Sequence, residues 1–351
     1  MFSSLPFGYM FMSVMGIGTL LSVSSIHWLS IWAGLEINLI GFLPMLVYQK
    51  SVSESQSAVK YFIIQALGSS FLMLGSLLMF NMSFTWDMYI SFGKSDILGF
   101  TVLIAGLCIK LGLFPFHYWL PGVMAGLPWI SCLILATWQK LAPLFLVLSL
   151  LELSHSYLII LMLCLISSGS ALMGGIGGMN QTQIRALLAY SSISHLGWMV
   201  FAAIHSEWSM KTYLFIYILI SISLFMSLWY SDSGMMKNIN NLKNNGFAGL
   251  TIMMLLLSLA GLPPLLGFIS KWLVIVASCN GPWTFIIFLL ILGSLMSLFY
   301  YLSLFFSMFL GNLKKYSINE EKLGNNVMVL INIFNILGGT LILMVSLLTS
   351  M

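Results

Sequence analysis

In the stretch Ile109-Lys110-Leu-Gly-Leu-Phe-Pro115-Phe-His117-Tyr-Trp119, a lysine stands inside an apolar run of membrane length, five residues before a proline. An ammonium at that depth costs ~2.5–3.5 kcal/mol on insertion scales. The proline removes a backbone hydrogen bond and is expected to break the helix that carries it. Five charged groups share this apolar setting: Glu36, Lys60, Lys110, Lys140 and Lys271. Lys60 lies about one turn from a span end and either snorkels to the interface or joins a relay. The other four are too deep for that, and together they cost roughly 10–14 kcal/mol. They must therefore face the protein interior or internal water and support one another.

The chemistry that suits these residue types is proton transfer. Desolvation disfavours a charged amine, so a lysine in apolar surroundings can release its proton near neutral pH. A carboxylate close by stabilises the protonated form instead. Moving Glu36 relative to Lys110 would thus switch the lysine between holding and releasing a proton. Static ion pairs are the plainer reading, but three deep lysines do not cancel against one glutamate. His117 follows the break at Pro115, and His195 lies in the polar face Ser191-Ser-Ile-Ser-His195-Leu-Gly-Trp198. With an ordinary imidazole titration near ~6.5, each suits a relay as well as a packed, hydrogen-bonded histidine. His27, His155 and His205 fall at span ends and read as interfacial.

The elements that must position these groups are membrane helices. The 351 residues are 60% hydrophobic and 6% charged, against roughly 25% charged in soluble domains. The net charge of +4 therefore bears on orientation and gives no indication of nucleic-acid binding. A hydrocarbon core of ~30 Å needs about 20 apolar residues as helix. Such runs predict an all-α polytopic bundle of eleven spans, near 2–22, 24–48, 57–82, 98–118, 125–150, 156–178, 187–206, 210–230, 249–278, 283–310 and 327–349. Short turns are expected around Val23 and Gly122. Loops on the N-terminal side hold Lys50, Arg185, Lys237, Lys243, Lys314, Lys315 and Lys322, and the opposite side holds Lys94 and Lys211. That bias places the N-terminus on the cytoplasmic or matrix side.

Span 4 contains Gly112-Leu-Phe-Pro115 and span 9 contains Gly261-Leu-Pro263-Pro264, each with a lysine nearby. Two broken helices of opposite direction, five spans apart, predict an inverted-topology repeat within a single transmembrane domain. Repeat 1 covers about 1–150, repeat 2 about 156–310, and the helix at 327–349 is an addition.

Other chemistries find no support. Cys108, Cys132, Cys164 and Cys279 form no C-x-x-C pair, which suggests neither a metal cage nor an iron–sulfur site, and all four are expected as buried, inert thiols. No phosphate loop or haem-spaced histidine pair is present. Gly174-Gly-Ile-Gly-Gly178 reads as close helix packing or a flexible turn. The first charged side chain is Glu36, so neither a signal nor a transit peptide is expected.

Several motifs carry a family resemblance over nearly the whole length. They include Trp32-Ala-Gly-Leu-Glu36-Ile-Asn38, Lys60-Tyr-Phe62, Lys110 through His117, Thr137-Trp-Gln-Lys140-Leu-Ala-Pro143, Gly178-Met-Asn-Gln-Thr182, Ser191 through Trp198, and Gly261 through Lys271-Trp272. The chain resembles the antiporter-like membrane-arm family of NADH:ubiquinone oxidoreductase, respiratory complex I, in its shorter animal mitochondrial form. The resemblance implies a proton-translocating subunit of the inner mitochondrial membrane, N-terminus on the matrix side and C-terminus in the intermembrane space. It implies Glu36 and Lys110 as coupling pair, Lys140 as central lysine and Lys271 toward the outlet, the lysine at 271 fitting the subunit 2 branch. No cofactor is implied in this chain, with FMN, iron–sulfur clusters and ubiquinone in partner subunits. Implied partners are other membrane-arm subunits, including antiporter-like neighbours, and phospholipids such as cardiolipin. A stand-alone or Mrp-type cation/proton antiporter and a structural membrane scaffold are the alternatives.

Overall fold

The computed structural model describes residues 7–47, 51–88, 97–153, 156–231, 246–279, 281–312 and 328–340. Among these residues the chain is all-helical, without strands, and its extended pairing is an isolated bridge between His27 and Asp87. The loops with Lys50, Lys94, Lys237, Lys243, Lys314, Lys315 and Lys322, and His155, lie outside the described residues. The chain divides into two compact units, Met1–Ile166 and Ser167–Met351. Among the described residues, seven helices are long and apolar enough to cross a membrane, with further apolar helices of 10–17 residues.

The first unit holds α1 (Gly8–Ser24), α2 (Trp28–Leu46), α3 (Val52–Ser83), α4 (Ile97–Leu111), α5 (Trp119–Gly126), α6 (Trp129–Ala136), α7 (Trp138–Leu153) and the start of α8 (Tyr157–Met179). α1 and α2 approach at backbone distance. A Cβ on Gly18 would lie 2.6 Å from Asn38 N, and one on Gly34 2.6 Å from Ser22 N. The turn joining them is tied to the end of α3. Trp28 N donates to Trp86 O and Met88 N to Ile26 O, each at 3.0 Å, and His27 Nδ1 lies 2.6 Å from Asp87 Oδ1. α3 starts at Val52, earlier than hydropathy predicts, because Ser51 Oγ accepts from Glu54 N at 3.3 Å and caps the polar first turn.

α4 has 15 residues, a length of ~22 Å, and it is Gly112 that ends it, ahead of Pro115. Gly112 has φ +75°. Leu113 N donates to Cys108 O at 3.0 Å and Gly112 N to Ile109 O at 3.3 Å. These are the paired bonds of a Schellman cap, which wants a left-handed residue at this position. Pro115 follows after the chain has left the helix. Side chains satisfy the next carbonyls: Trp119 Nε1 donates to Ile109 O and Gln65 Nε2 to Lys110 O, both at 3.2 Å. Gly122, expected in a turn, lies inside α5, and the turn falls at Leu127 and Pro128. A further interruption separates α6 from α7 at Thr137, whose Oγ1 donates to Leu133 O at 2.7 Å. Pro143 within α7 offers no N–H to the carbonyl of Gln139, so the helix is weakest where Lys140 enters.

The second unit holds the rest of α8, α9 (Ile184–His205), α10 (Glu207–Ser231), α11 (Gly246–Ala260), α12 (Leu266–Ser278), α13 (Thr284–Asn312) and α14 (Met328–Thr340). α9 is buried on nearly every side from Ile184 to Ala202. Its Ser191, Ser192 and Ser194 hydroxyls donate to carbonyls three residues back, which lets polar residues occupy a dry interior. The glycine run on α8 packs closely: a Cβ on Gly174 would lie 2.6 Å from Ser194 N of α9, and one on Gly175 2.7 Å from Gly293 O of α13. α11 closes with the same cap as α4. Gly261 has φ +83°, Leu262 N donates to Leu257 O at 3.3 Å, and Gly261 N donates to Ser258 O at 3.0 Å. α12 resumes at Leu266, whose N–H donates to Asn335 Oδ1 of α14 at 3.4 Å. Cys108, Cys132 and Cys164 are buried; Cys279, expected buried, is exposed because it caps the C-terminal end of α12.

Candidate functional site

Three of the deep charges meet in the first unit. α2 supplies Glu36, α4 delivers Lys110 as its penultimate residue, and α7 supplies Lys140 in its first turn. Lys110 Nζ lies 3.7 Å from Glu36 Oε1, the two side chains being 3% and 24% exposed. The contact is one of charge, since it is longer than a side-chain hydrogen bond reaches. Gly68 of α3 makes room for the lysine stem: a Cβ there would lie 2.9 Å from Lys110 Cγ.

Lys110 and Lys140 line the same small internal pocket, together with Asn38, Tyr61, Gln65 and Gln139. It offers about 20 Å³ to water centres, and about 10–15 Å³ suffices for one water with polar partners. Across its wall, Asn38 and Gln139 pair amide to amide. Asn38 Nδ2 donates to Gln139 Oε1 at 2.9 Å, and Gln139 Nε2 donates to Asn38 Oδ1 at 3.2 Å. Tyr61 Oη donates to the same Gln139 oxygen at 3.4 Å.

The remaining residues singled out from sequence lie apart from this pocket. Lys60 is exposed on α3, as suits an ammonium reaching an interface. His117 is buried in the non-helical segment that contains Pro115, its ring centroid 4.1 Å from that of Tyr118.

In the second unit Lys271 is buried on α12 and donates Nζ to Ala260 O at 2.7 Å. Ala260 is the last residue of α11, so the ammonium rests on a helix C-terminus, where the backbone carries partial negative charge. Pro263 and Pro264 lie in the segment joining the two helices. His195 Nδ1 is 2.8 Å from Tyr213 Oη, and its ring centroid is 5.2 Å from that of Tyr217. Tyr300 and Tyr301 of α13 are buried, their ring centroids 4.7 Å apart. Among the described residues, no group of three or more His, Cys, Asp or Glu is placed to hold a metal ion.

Asn38, Gln65, Gln139 and Tyr213 escape a sequence reading that counts formal charges. Their signal was present nonetheless: an amide inside an apolar run must find a partner, because an unpaired buried amide is costly.

Fold and site together define a polytopic helical membrane protein with ionisable side chains enclosed among its spans. Residues 25–297 match the family described as NADH:quinone oxidoreductase/Mrp antiporter, transmembrane. The chain is 38% identical over 298 residues to NADH-ubiquinone oxidoreductase chain 2 of Lumbricus terrestris, covering 84% of this chain and 85% of that one. It is 39% identical over 330 residues to the protein of the same name in Anopheles gambiae, covering 93% of each. Its fold matches a chain in the structure of respiratory complex I from Thermus thermophilus with bound aureothin. There the TM-score is 0.83 and the identity 25%, over 95% of this chain and 78% of that one. The chain belongs to the NADH:quinone oxidoreductase/Mrp antiporter transmembrane family.

Proposed function

We propose that this chain is a proton-translocating core subunit in the membrane arm of an NADH:ubiquinone oxidoreductase, complex I, of the mitochondrial inner membrane. The observation that carries the reading is Lys110, which faces Glu36 at 3.7 Å and shares a water-sized pocket with Lys140. While Glu36 is close and ionised, Lys110 keeps its proton. When Glu36 withdraws or is itself protonated, an N–H bond breaks at Lys110 Nζ, and one forms at Lys140 Nζ by way of water in the pocket. No electron moves in this chain. FMN, iron–sulfur clusters and ubiquinone belong to partner subunits and supply the energy. Lys271 serves the second unit toward the outlet, with His195 and His117 as relays. Moving one charge against the membrane potential costs ~2.3 kcal/mol per 100 mV, which is within the range of the burial and pairing effects available to a lysine.

Among the described residues, joining α4 to α5, α6 to α7 and α11 to α12 is compatible with a reading of eleven spans. The glycine caps at Gly112 and Gly261 share φ sign and hydrogen-bond pattern, which supports reading 1–150 and 156–310 as inverted repeats. The lysine bias of the loops supports an N-terminus on the matrix side. Exposed apolar side chains such as Leu20, Phe215, Phe285 and Phe299 suit neighbouring antiporter-like subunits and lipid, cardiolipin included.

Lys110→Met and Lys140→Met in the assembled complex test the reading. Loss of NADH-driven proton uptake into vesicles is expected from each, and normal pumping by either overturns it. Co-purification with an NADH-oxidising assembly separates a complex subunit from a free antiporter.

A further inference from the structure

Two polar residues on the wall of the lysine pocket do more than satisfy each other. Gln139 uses its full hydrogen-bonding capacity. Its Oε1 accepts from Asn38 Nδ2 at 2.9 Å and from Tyr61 Oη at 3.4 Å, while its Nε2 donates to Asn38 Oδ1 at 3.2 Å and to Met15 Sδ at 3.6 Å. One side chain of α7 is thereby fastened to α1, α2 and α3. Asn38 stands two residues after Glu36 on α2, and Gln139 immediately precedes Lys140 on α7. The clasp therefore ties the helix of the carboxylate to the helix of the receiving lysine, beside the pocket that both Lys110 and Lys140 line.

The pocket is small enough for this to matter. At about 20 Å³ for water centres it has room for water, and a water there needs two to four polar partners to stay. Closing α2 toward α7 would expel it, whereas opening them would admit a disordered cluster. A fully satisfied amide pair has one favourable arrangement and resists both motions.

We propose that Asn38 and Gln139 are positioning residues that hold the wall of the pocket lined by Lys110 and Lys140, so that the proton crosses between the lysines through water kept there. The inference rests on the proton-transfer reading above. It assigns the amides no proton-carrying step: they hold the path, and the lysines carry the proton.

The test uses the assembled complex in sealed vesicles, normalised to its amount on native gels, and reads NADH-driven proton uptake in H₂O and D₂O. Asn38→Leu and Gln139→Leu are each expected to lower pumping on the order of 10–100-fold, the scale of a misplaced reacting group, and to change the D₂O/H₂O rate ratio. The exchange Asn38→Gln with Gln139→Asn keeps both amides and their summed length. It is expected to recover most of the wild-type rate and the wild-type isotope ratio. Where a leucine variant does not assemble, Gln139→Met, which keeps length and loses the amide, takes its place under the same expectation. Wild-type pumping by the leucine or methionine variants overturns the proposal, as does an exchange variant no better than the single changes. Loss of pumping in Lys110→Met with normal pumping in Gln139→Leu sinks the clasp alone. Normal pumping in Lys110→Met sinks the underlying reading.

Discussion

Lys110 Nζ and Glu36 Oε1 lie 3.7 Å apart, close enough to pair as charges and too far to share a hydrogen bond. The glutamate oxygen facing the lysine is buried without a hydrogen-bond partner, so nothing but the ammonium compensates it. Two helices fix this distance from opposite sides. α2 is held against α1 by the contacts at Gly18 and Gly34, and α4 is held against α3 at Gly68 and Gly106. With both helices held, the pairing at this distance can end by rotation or protonation of the Glu36 side chain alone, which suits the switch proposed above.

Glu36→Gln removes the charge and leaves the ammonium of Lys110 without its counter-ion. Breaking one side of a buried pair costs up to about 3–5 kcal/mol while the lysine keeps its proton, and a lysine that sheds it can no longer be switched, so the glutamine variant should lose pumping and yield less assembled complex. Adding Lys110→Met removes the orphaned charge. The double variant should regain assembly, measured on native gels, while remaining unable to pump. A double variant that assembles worse than Glu36→Gln would contradict this account.

Gly68 and Gly106 form the crossing of α3 and α4 beside the lysine. A Cβ on Gly106 would lie 3.0 Å from Gly68 O, and one on Gly68 meets Lys110 Cγ at 2.9 Å. Gly68→Val should therefore push α3 from α4 and misplace Lys110, with an overpacking cost of about 1–3 kcal/mol. Thermal inactivation of the complex should shift to lower temperature and pumping should fall with it. Gly16→Ala is the control, since a Cβ at Gly16 meets nothing within 4 Å.

Much of this site is legible from residue type and depth. A lysine such as Lys110 in an apolar run announces itself through its insertion cost, and Gly112 and Gly261 mark breaks through their pairing with nearby prolines. The glycine run from Gly174 to Gly178 announces close packing, and Gly174 and Gly175 do meet neighbouring backbones. What hydropathy misses are events decided by hydrogen bonds. It assigns the break at 112 to Pro115, although the cap bonds to Cys108 O end the helix first. It places α3 late because it discounts the Ser51 cap, and it cannot see the interruption at Thr137, where a threonine hydroxyl competes for a backbone carbonyl. The amides Asn38 and Gln139 are one hundred and one residues apart. Their pairing exists only once α2 and α7 are packed together, and no local pattern foretells it.

Tyr213→Phe deletes the hydroxyl that lies 2.8 Å from His195 Nδ1. Losing a buried hydrogen bond costs about 1–3 kcal/mol, so a modest fall in thermal stability is expected from any role of His195. Should His195 relay protons, pumping falls as well, since the imidazole loses the group that fixes its tautomer. Normal pumping with reduced stability would assign His195 to packing. The two readouts, inactivation temperature and proton uptake per NADH oxidised, are taken on the same preparation.

Gly261→Ala tests the second break and its lysine together. At φ +83° the left-handed cap of α11 resists any side chain, and a Cβ would meet Lys271 Cδ and Nζ, each at 3.0 Å. Both effects act on one bond, the donation from Lys271 Nζ to Ala260 O at 2.7 Å. The cap strain alone costs on the order of 1 kcal/mol, which the complex should tolerate, while displacement of the ammonium from the helix terminus should suppress pumping disproportionately. Gly112→Ala is the informative comparison. It carries the same left-handed strain at φ +75°, but its Cβ meets Leu120 and Trp119 instead of a lysine. Equal stability losses with a deeper pumping loss at position 261 are expected from native gels and vesicle proton uptake. Equal pumping losses at both positions would show that the glycines matter for the caps alone and that Lys271 does not depend on the carbonyl of Ala260.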